Sequence, residues 1–546
     1  MSPSAPPSDP FRRSQQAHDY LVCHLNRSGR DQAEQDTVEA LNRSIRRFGA
    51  ASIDSAAIER EHCIPARVLQ DAARLGLFGL TIPEEFGGAG LSLPASCGVI
   101  ERLASLDRSV ATCIGLHNGL GLRGLIRYAG EHLKKRYLPE MASGERIAAF
   151  AATEPNAGSD LSAIRASAVP DPALPDQLTL NGEKIYITNA TYAKVFTAVM
   201  FTPGLGGKKR GHSLVLVPAD IAGLTLGREE DKLGLRGSST RSVHFDEARV
   251  QRDHVIGEPG LGITLMNHVL TWGRTLMAAG CLGSADFALR QAAAHVTTRR
   301  QFGRTLSEFE LVRQSLAAMR ARLYLAESVV RAAALICDRN DESASWETAA
   351  AKVLASESAW WVIDTSLQLH GGSGFIEETG IARALRDCRV TRIFEGANDV
   401  LRLHVAGEAL TWPLSEIAEI PPLSTRLSSP LRDPALVNDG ELLEIAATLA
   451  ELRRTHGIRL IERQSLLSSV GTMALWAYAA RVTLLRTEGI LGSSGPNSPE
   501  LDLAQAACQE AHQIFLAAKA ERKNPTIALR ERIARRELER ASLAGL

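Results

Sequence analysis

The apolar pattern of this chain changes period twice, and that change limits the possible folds more than any other feature. From about residue 35 to 145 apolar residues recur at helical spacing, as in Val68, Leu69, Ala72 and Leu75. Between Gln177 and Thr188 they alternate with polar residues on both sides of Asn181-Gly182, the pair that most strongly signals a hairpin turn. Lys194–Phe201, Ser213–Pro218 and Arg241–Phe245 continue as short strand segments, so roughly 150–255 is expected to form a small β domain. Its insert at 204–211 reads as an exposed hairpin tip, with Lys208, Lys209 and Arg210 a solvated turn. Helical spacing returns near Gly262 and lasts to about Gly407, with long runs at Glu308–Ile336 and Thr348–His370. Segment 412–438, with Pro413, Pro421, Pro422, Pro430 and Pro434, reads as a linker. A further helical domain is expected at 439–546, and 1–34 is expected to be a disordered or loosely ordered tail. The fold class is therefore α+β, mostly α, with segregated elements.

Composition narrows the partners. With 62 acidic and 62 basic residues in 546, charge gives no case for nucleic acid. Eight cysteines lie scattered, without CxxC pairs or zinc-type His spacing; they read as free thiols in a reducing compartment, with no metal site. Apolar runs stop short of a membrane span, and a cytoplasmic protein is expected. The last helix, around Ile527–Leu543, mixes Ile533 and Leu538 with Arg530, Arg535 and Arg540, a pattern compatible with weak peripheral membrane contact or with the solvated face of a bundle.

The stretch Thr-Arg-Ile-Phe-Glu-Gly-Ala-Asn-Asp-Val-Leu-Arg (391–402) sets a lone carboxylate, Glu395, between apolar residues and Gly396. Apolar neighbours strip hydration from a carboxylate and raise its pKa, which suits a general base; a Glu beside Gly is otherwise a solvated helix end. Three more segments add weight: Ala-Thr-Glu-Pro-Asn-Ala-Gly-Ser-Asp (152–160), Arg-Arg-Gln-Phe-Gly (299–303) and Gln-Leu-His-Gly-Gly-Ser-Gly-Phe (368–375). In that order and at those separations the four resemble the acyl-CoA dehydrogenase family of flavoproteins. The likeness spans about 70–410. It implies an N-terminal helical domain (35–149), a β-barrel-like domain (150–255) and a C-terminal helical bundle (256–411). The extra C-terminal block, with Ile461-Glu-Arg-Gln-Ser-Leu-Leu-Ser-Ser, is similar to the additional domain of the very-long-chain subgroup.

The resemblance implies FAD and assigns residues to it. Phe150, Thr153, Gly158 and Ser159 match the segment that bonds the flavin ring and pyrophosphate, and Tyr186 and Thr188 match an aromatic covering the ring and a hydroxyl near N5. Two apart on a strand, Tyr186 and Thr188 should share one face. Most relatives carry Trp where this chain has Tyr186. Arg299, Phe302, Gln368, Gly371 and Gly372 match positions that hold the ADP portion, partly across a subunit interface, which implies a homodimer. Ala397 stands where relatives usually carry Thr, so one hydroxyl contact near the adenosine is missing.

The implied reaction is 2,3-dehydrogenation of an acyl-CoA, with Glu395 removing the α-proton, the β-hydride passing to flavin and electrons going on to an electron-transfer flavoprotein. The base used by another branch, just before the position of Arg274, is here Gly273, which leaves Glu395; Arg274 reads as a positioning partner. Gly121 and Gly124 interrupt an apolar helical stretch, so either helices cross closely there or missing side chains leave a channel. By resemblance these glycines open the acyl cavity for long chains, and the substrate-binding set becomes Gly121, Gly124, Arg274 and Gly396. Competing readings are a dehydrogenase or oxidase of another thioester (branched, aromatic or carrier-bound) and a flavin-containing assembly protein without turnover.

Overall fold

The structure, a computed structural model, describes residues 9–543 apart from 28, 172, 175, 208–210, 415, 416, 418 and 525. The expected basic turn at 208–210 and the start of the expected tail, 1–8, lie outside the described residues.

Helices come first. Leu93–Ala104 begins where Ser92 accepts the N–H of Ala95, and Arg108–Leu116 where Asp107 accepts that of Val110, each capping a free amide of the first turn. Helix Arg108–Leu116 runs into a wider π turn, His117–Gly121, and then helix Leu122–Tyr128. The π turn is pinned by His117, whose Nδ1 accepts the Ala148 N–H at 2.9 Å.

The β region holds β1 (Ile147–Ala151), β2 (Ser167–Pro170), β3 (Gln177–Thr188) and β4 (Ala193–Phe201), followed by β5 (His212–Pro218), β6 (Leu224–Glu229), β7 (Thr240–Gln251) and β8 (Val255–Ile256). Their order is β6-β7-β3-β2-β4-β5-β8, with β1 parallel to β4. Inward residues such as Phe196, Val215, Val243 and Phe245 bury one face within the curled sheet. On the other face Val195, Val199 and Leu214 meet Leu125, Met266 and Val269 of the helices.

The hairpin expected at Asn181-Gly182 does not form. Strand β3 continues through it, pairing with β7 both before (Leu178 with Val250) and after (Lys184 with Val243). The register shifts between Leu180 and Gly182, and Asn181 Oδ1 accepts the Glu247 N–H at 2.9 Å. Gly182 has φ +126° and Glu247 φ +49°, so the pair makes a β-bulge instead of a turn. A hairpin would need β3 to fold onto itself, and β2 and β7 already occupy its two edges.

The bundle is built on Gly262–Thr298, Glu310–Arg339, Ser345–His370 and Asn398–Ala409. Against it lie Arg432–His456, Gln464–Ser494 and Glu500–Glu521. The segment expected to be a linker is packed. Trp412, Ile417, Leu423, Leu427 and Leu431 are buried in the main core, and helix Arg432–His456 starts inside it. Prolines suggest a spacer, but the apolar residues spaced between them supply a buried face.

The described part of the expected tail is also ordered. Pro10–Gln16 and His18–His24 are helices with Phe11, Leu21 and Leu25 in the core. Phe11 lies 5.9 Å from the rings of Trp412 and Tyr478 and 6.4 Å from that of Trp346, and Arg13 Nε meets Glu347 Oε1 at 2.7 Å. Among the described residues no helix is long and apolar enough to cross a membrane. In the last helix Arg535 and Arg540 pair with Glu531 and Glu537, leaving Ile533 and Leu538 exposed.

Candidate active site

Glu395 sits on a strained turn just ahead of helix Asn398–Ala409. Its φ is +55° and that of Gly396 is +97°; a glycine tolerates this region, whereas a Glu there costs on the order of 1–3 kcal/mol. Two cations, buried Lys352 and half-buried Arg274, hold the turn. Arg274 Nε donates to the Glu395 carbonyl at 3.1 Å. Lys352 Nζ donates to the Gly396 carbonyl and to Asn398 Oδ1, both at 2.7 Å.

The carboxyl of Glu395 is set up differently from its backbone. Oε2 is sealed from bulk solvent and has no hydrogen-bond partner among the described residues. Burial pushes the pKa up from 4.5 to about 7, against the opposing pull of Lys352, Arg274 and Arg108. A carboxylate that titrates near neutrality with a free oxygen is suited to accept a proton. Gly273 gives it room: a Cβ there would fall 2.2 Å from Leu120 Cδ2 and 3.2 Å from Glu395 Oε2.

Glu395 and Gly396 line a cavity of about 430 Å³. Phe150, Thr153, Gly158, Ser159, Tyr186 and Thr188 line it as well, so the structure brings these expected cofactor residues together with the expected base. The loop carrying Thr153 is tied to β3, because the Ile185 N–H bonds the Thr153 carbonyl at 2.9 Å. Buried Lys184 adds bonds to the Ala152 carbonyl at 3.1 Å and to Glu154 Oε1 at 2.6 Å. Tyr186 and Thr188 do not share a face through simple alternation. A register shift between Lys184 and Ile187, with Tyr186 at φ +58°, turns both into the cavity.

This lining fits a flavin. The hydroxyls of Thr153, Ser159 and Thr188 have no hydrogen-bond partner among the described residues, and Tyr186 is 63% exposed beside them. Three free donors and an uncovered aromatic suit a flat, hydrogen-bonding ring system. Nothing lies within 4 Å of a Cβ built on Gly158, so the backbone there is open to close approach.

A second group stays apart. Arg299, Phe302, Gln368, Gly371 and Gly372 are exposed and lie outside the cavity lining. Stacking of His295 on His370, with ring centroids 4.4 Å apart, joins the ends of helices Gly262–Thr298 and Ser345–His370 and so brings this set to one end of the bundle. Phe302 is 93% exposed with φ +50°, at the tip of a short hairpin between Arg300-Gln301 and Arg304-Thr305. Bare and strained, it is the kind of residue kept for a contact.

Gly121 and Gly124 are not in the cavity lining. A Cβ on Gly121 would meet Ala148 Cβ at 2.8 Å, and one on Gly124 would touch Leu214, Val269 and Thr197. The expected channel is therefore replaced by close helix-to-sheet packing. Glycine at position 115 lines the cavity instead.

Sequence reasoning missed Lys352 and Arg108. Lys352 sits alone among Ala349, Ala350, Ala351, Val353 and Leu354, a charge inside an apolar run. Arg108 shares the spacing i, i+3, i+4, i+7 with Ala111, Thr112 and Gly115, all in the lining. Each was legible as a charge on a buried helix face.

Comparison with known proteins agrees with this geometry. Family models match in three consecutive parts: acyl-CoA dehydrogenase N-terminal domain over 35–145, middle domain over 149–248 and C-terminal domain over 260–410. The chain belongs to the acyl-CoA dehydrogenase family, a class of FAD-dependent oxidoreductases. It is 34% identical over 503 residues to the very long-chain specific acyl-CoA dehydrogenase, mitochondrial, of Bos taurus, covering 86% of this chain and 77% of that one. A probable acyl-CoA dehydrogenase of Bacillus subtilis is 33% identical, covering 80% and 77%. A crystal structure of an acyl-CoA dehydrogenase complexed with FAD from Bacillus anthracis superposes with TM-score 0.81 at 29% identity, covering 89% and 88%.

Proposed function

We propose that the chain catalyses 2,3-dehydrogenation of acyl-CoA thioesters to trans-2-enoyl-CoA, with Glu395 as the base that takes the α-proton. The observation that carries this is a carboxyl with an orphan oxygen and a pKa near 7 in the same cavity as the flavin-type lining. FAD, when bound, would supply an acceptor for the β-hydride, and an electron-transfer flavoprotein is the partner that would take up the electrons. Thr153, Ser159, Tyr186 and Thr188 would hold its ring and pyrophosphate. The exposed set around Arg299, Phe302 and Gln368 would serve the ADP portion bound by a second copy, which makes the working unit at least a homodimer.

Glu395 is held ready for its task. Arg274 and Lys352 fix the turn by its carbonyls and leave the carboxyl free. Charge gathers on the thioester oxygen as the α-proton leaves, and the backbone N–H of Glu395 is the donor assigned to it. Long acyl chains and a cytoplasmic location belong to the same reading, the former supported by the very-long-chain relative.

The test is an anaerobic titration of the FAD-loaded protein with saturated acyl-CoAs, following the flavin band. Bleaching by the native protein, absent in Glu395→Gln with equal FAD content, is expected. Failure of every saturated acyl-CoA, plain or functionalised, to bleach fully loaded protein would overturn the proposal.

A further inference from the structure

We infer that Arg108 selects the acyl chain by pairing with a carboxylate on it, so that the preferred substrate is the mono-CoA thioester of a dicarboxylic acid. The inference rests on the cavity being an acyl-CoA site. Arg108 is the first residue of helix Arg108–Leu116, is 7% exposed and lines the cavity that holds Glu395. Its hydrogen bonds among the described residues are two long ones from Nη2, to the Met277 carbonyl at 3.4 Å and to Cys281 Sγ at 3.8 Å. No described carboxylate lies within ion-pair distance of it, Glu395 included.

Other deeply buried arginines of this chain are compensated. Arg13 has Glu347 at 2.7 Å, Arg486 has Glu327 at 3.1 Å and Arg481 has Asp439 at 4.0 Å. Burying a guanidinium without a counter-charge is strongly unfavourable. The fold nevertheless makes room for this one. A Cβ at Gly280, on helix Gly262–Thr298, would lie 1.7 Å from Arg108 Nη1, so the glycine forms the notch in which the guanidinium rests. Tuning of Glu395 does not explain the arrangement, because Lys352 and Arg274 both act on that carboxyl more strongly than Arg108. A cation held in a built notch, facing a cavity and short of acceptors, calls for an anionic ligand. The forked donors of arginine match the two oxygens of a carboxylate.

The experiment titrates the FAD-loaded full chain anaerobically with length-matched pairs, a plain saturated acyl-CoA and its ω-carboxy counterpart. Native protein should prefer the carboxylated member by roughly tenfold or more at one chain length. Arg108→Met should erase or reverse that preference and leave plain chains bound as well or better. Arg108→Lys, which keeps charge without the fork, should weaken the preference, and decides the matter alone if Arg108→Met does not fold. Preference for the plain member at every length, or a preference unchanged by either substitution, would overturn the inference while leaving the dehydrogenase reading intact. No flavin response to either series would overturn both.

Discussion

At the scale of single residues, the site is a negotiation over one proton. Glu395→Gln should lower kcat by roughly 10²–10⁴-fold, the usual contribution of a positioned base. Its pKa near 7 also fixes a pH dependence. The deprotonated form is the active one, so kcat/KM should fall as pH drops below about 7. Stability runs the other way. A carboxyl whose folded pKa is raised contributes most below its unfolded pKa, and the contribution is lost as pH rises through the folded value. The Tm of Glu395→Gln relative to native protein should therefore climb between pH 5 and pH 8, measured in parallel thermal melts. Lys352→Met removes a charge that favours the ionised carboxyl and releases the Gly396 carbonyl. It should lower kcat and move the acid limb of the pH profile to higher pH, with FAD content unchanged. The base itself was legible from its apolar neighbours. Lys352 was not singled out: a lone charge in an apolar run signals burial, but the groups it holds, Gly396 and Asn398, lie far along the chain.

At the scale of elements, β3 shows where local signals stop. Alternation correctly marked it as a strand, and Asn181-Gly182 correctly marked a departure from regular backbone. Whether that departure is a turn or a bulge depends on which strands flank it, and β2 and β7 are distant decisions of the chain. Gly182 is confined by both its φ of +126° and its neighbour, since a Cβ would come 2.7 Å from Ala166 Cα. Gly182→Val should destabilise by about 1–3 kcal/mol from backbone strain alone, read as a shift in denaturation midpoint. The glycines of the π turn teach the same lesson. Their cost pointed to a reason, and the sequence left open close packing and a channel; Ala148 against Gly121 is the answer.

At the scale of the whole molecule, the N-terminal helices and the C-terminal block close on each other across the bundle. Phe11 completes an aromatic cluster with Trp346, Trp412 and Tyr478. Arg481 donates to Ser14 Oγ at 3.1 Å and to Gln15 Oε1 at 2.6 Å. Phe11→Ala should cost about 3–5 kcal/mol, as for other buried aromatics, with the denaturation midpoint as readout. Composition hid this arrangement, because a Pro- and Ser-rich start and a Pro-rich stretch near 412–434 both resemble spacers, and only the partner surfaces show that Phe11, Leu21, Trp412 and Leu423 are buried. Helix Pro10–Gln16 is thus made long before the helix it packs against, Gln464–Ser494. Until the segment bearing Tyr478 has been synthesised, Phe11 and Leu21 stay without their final cover, so a nascent chain that stalls before that point carries an open apolar surface that quality-control machinery can read.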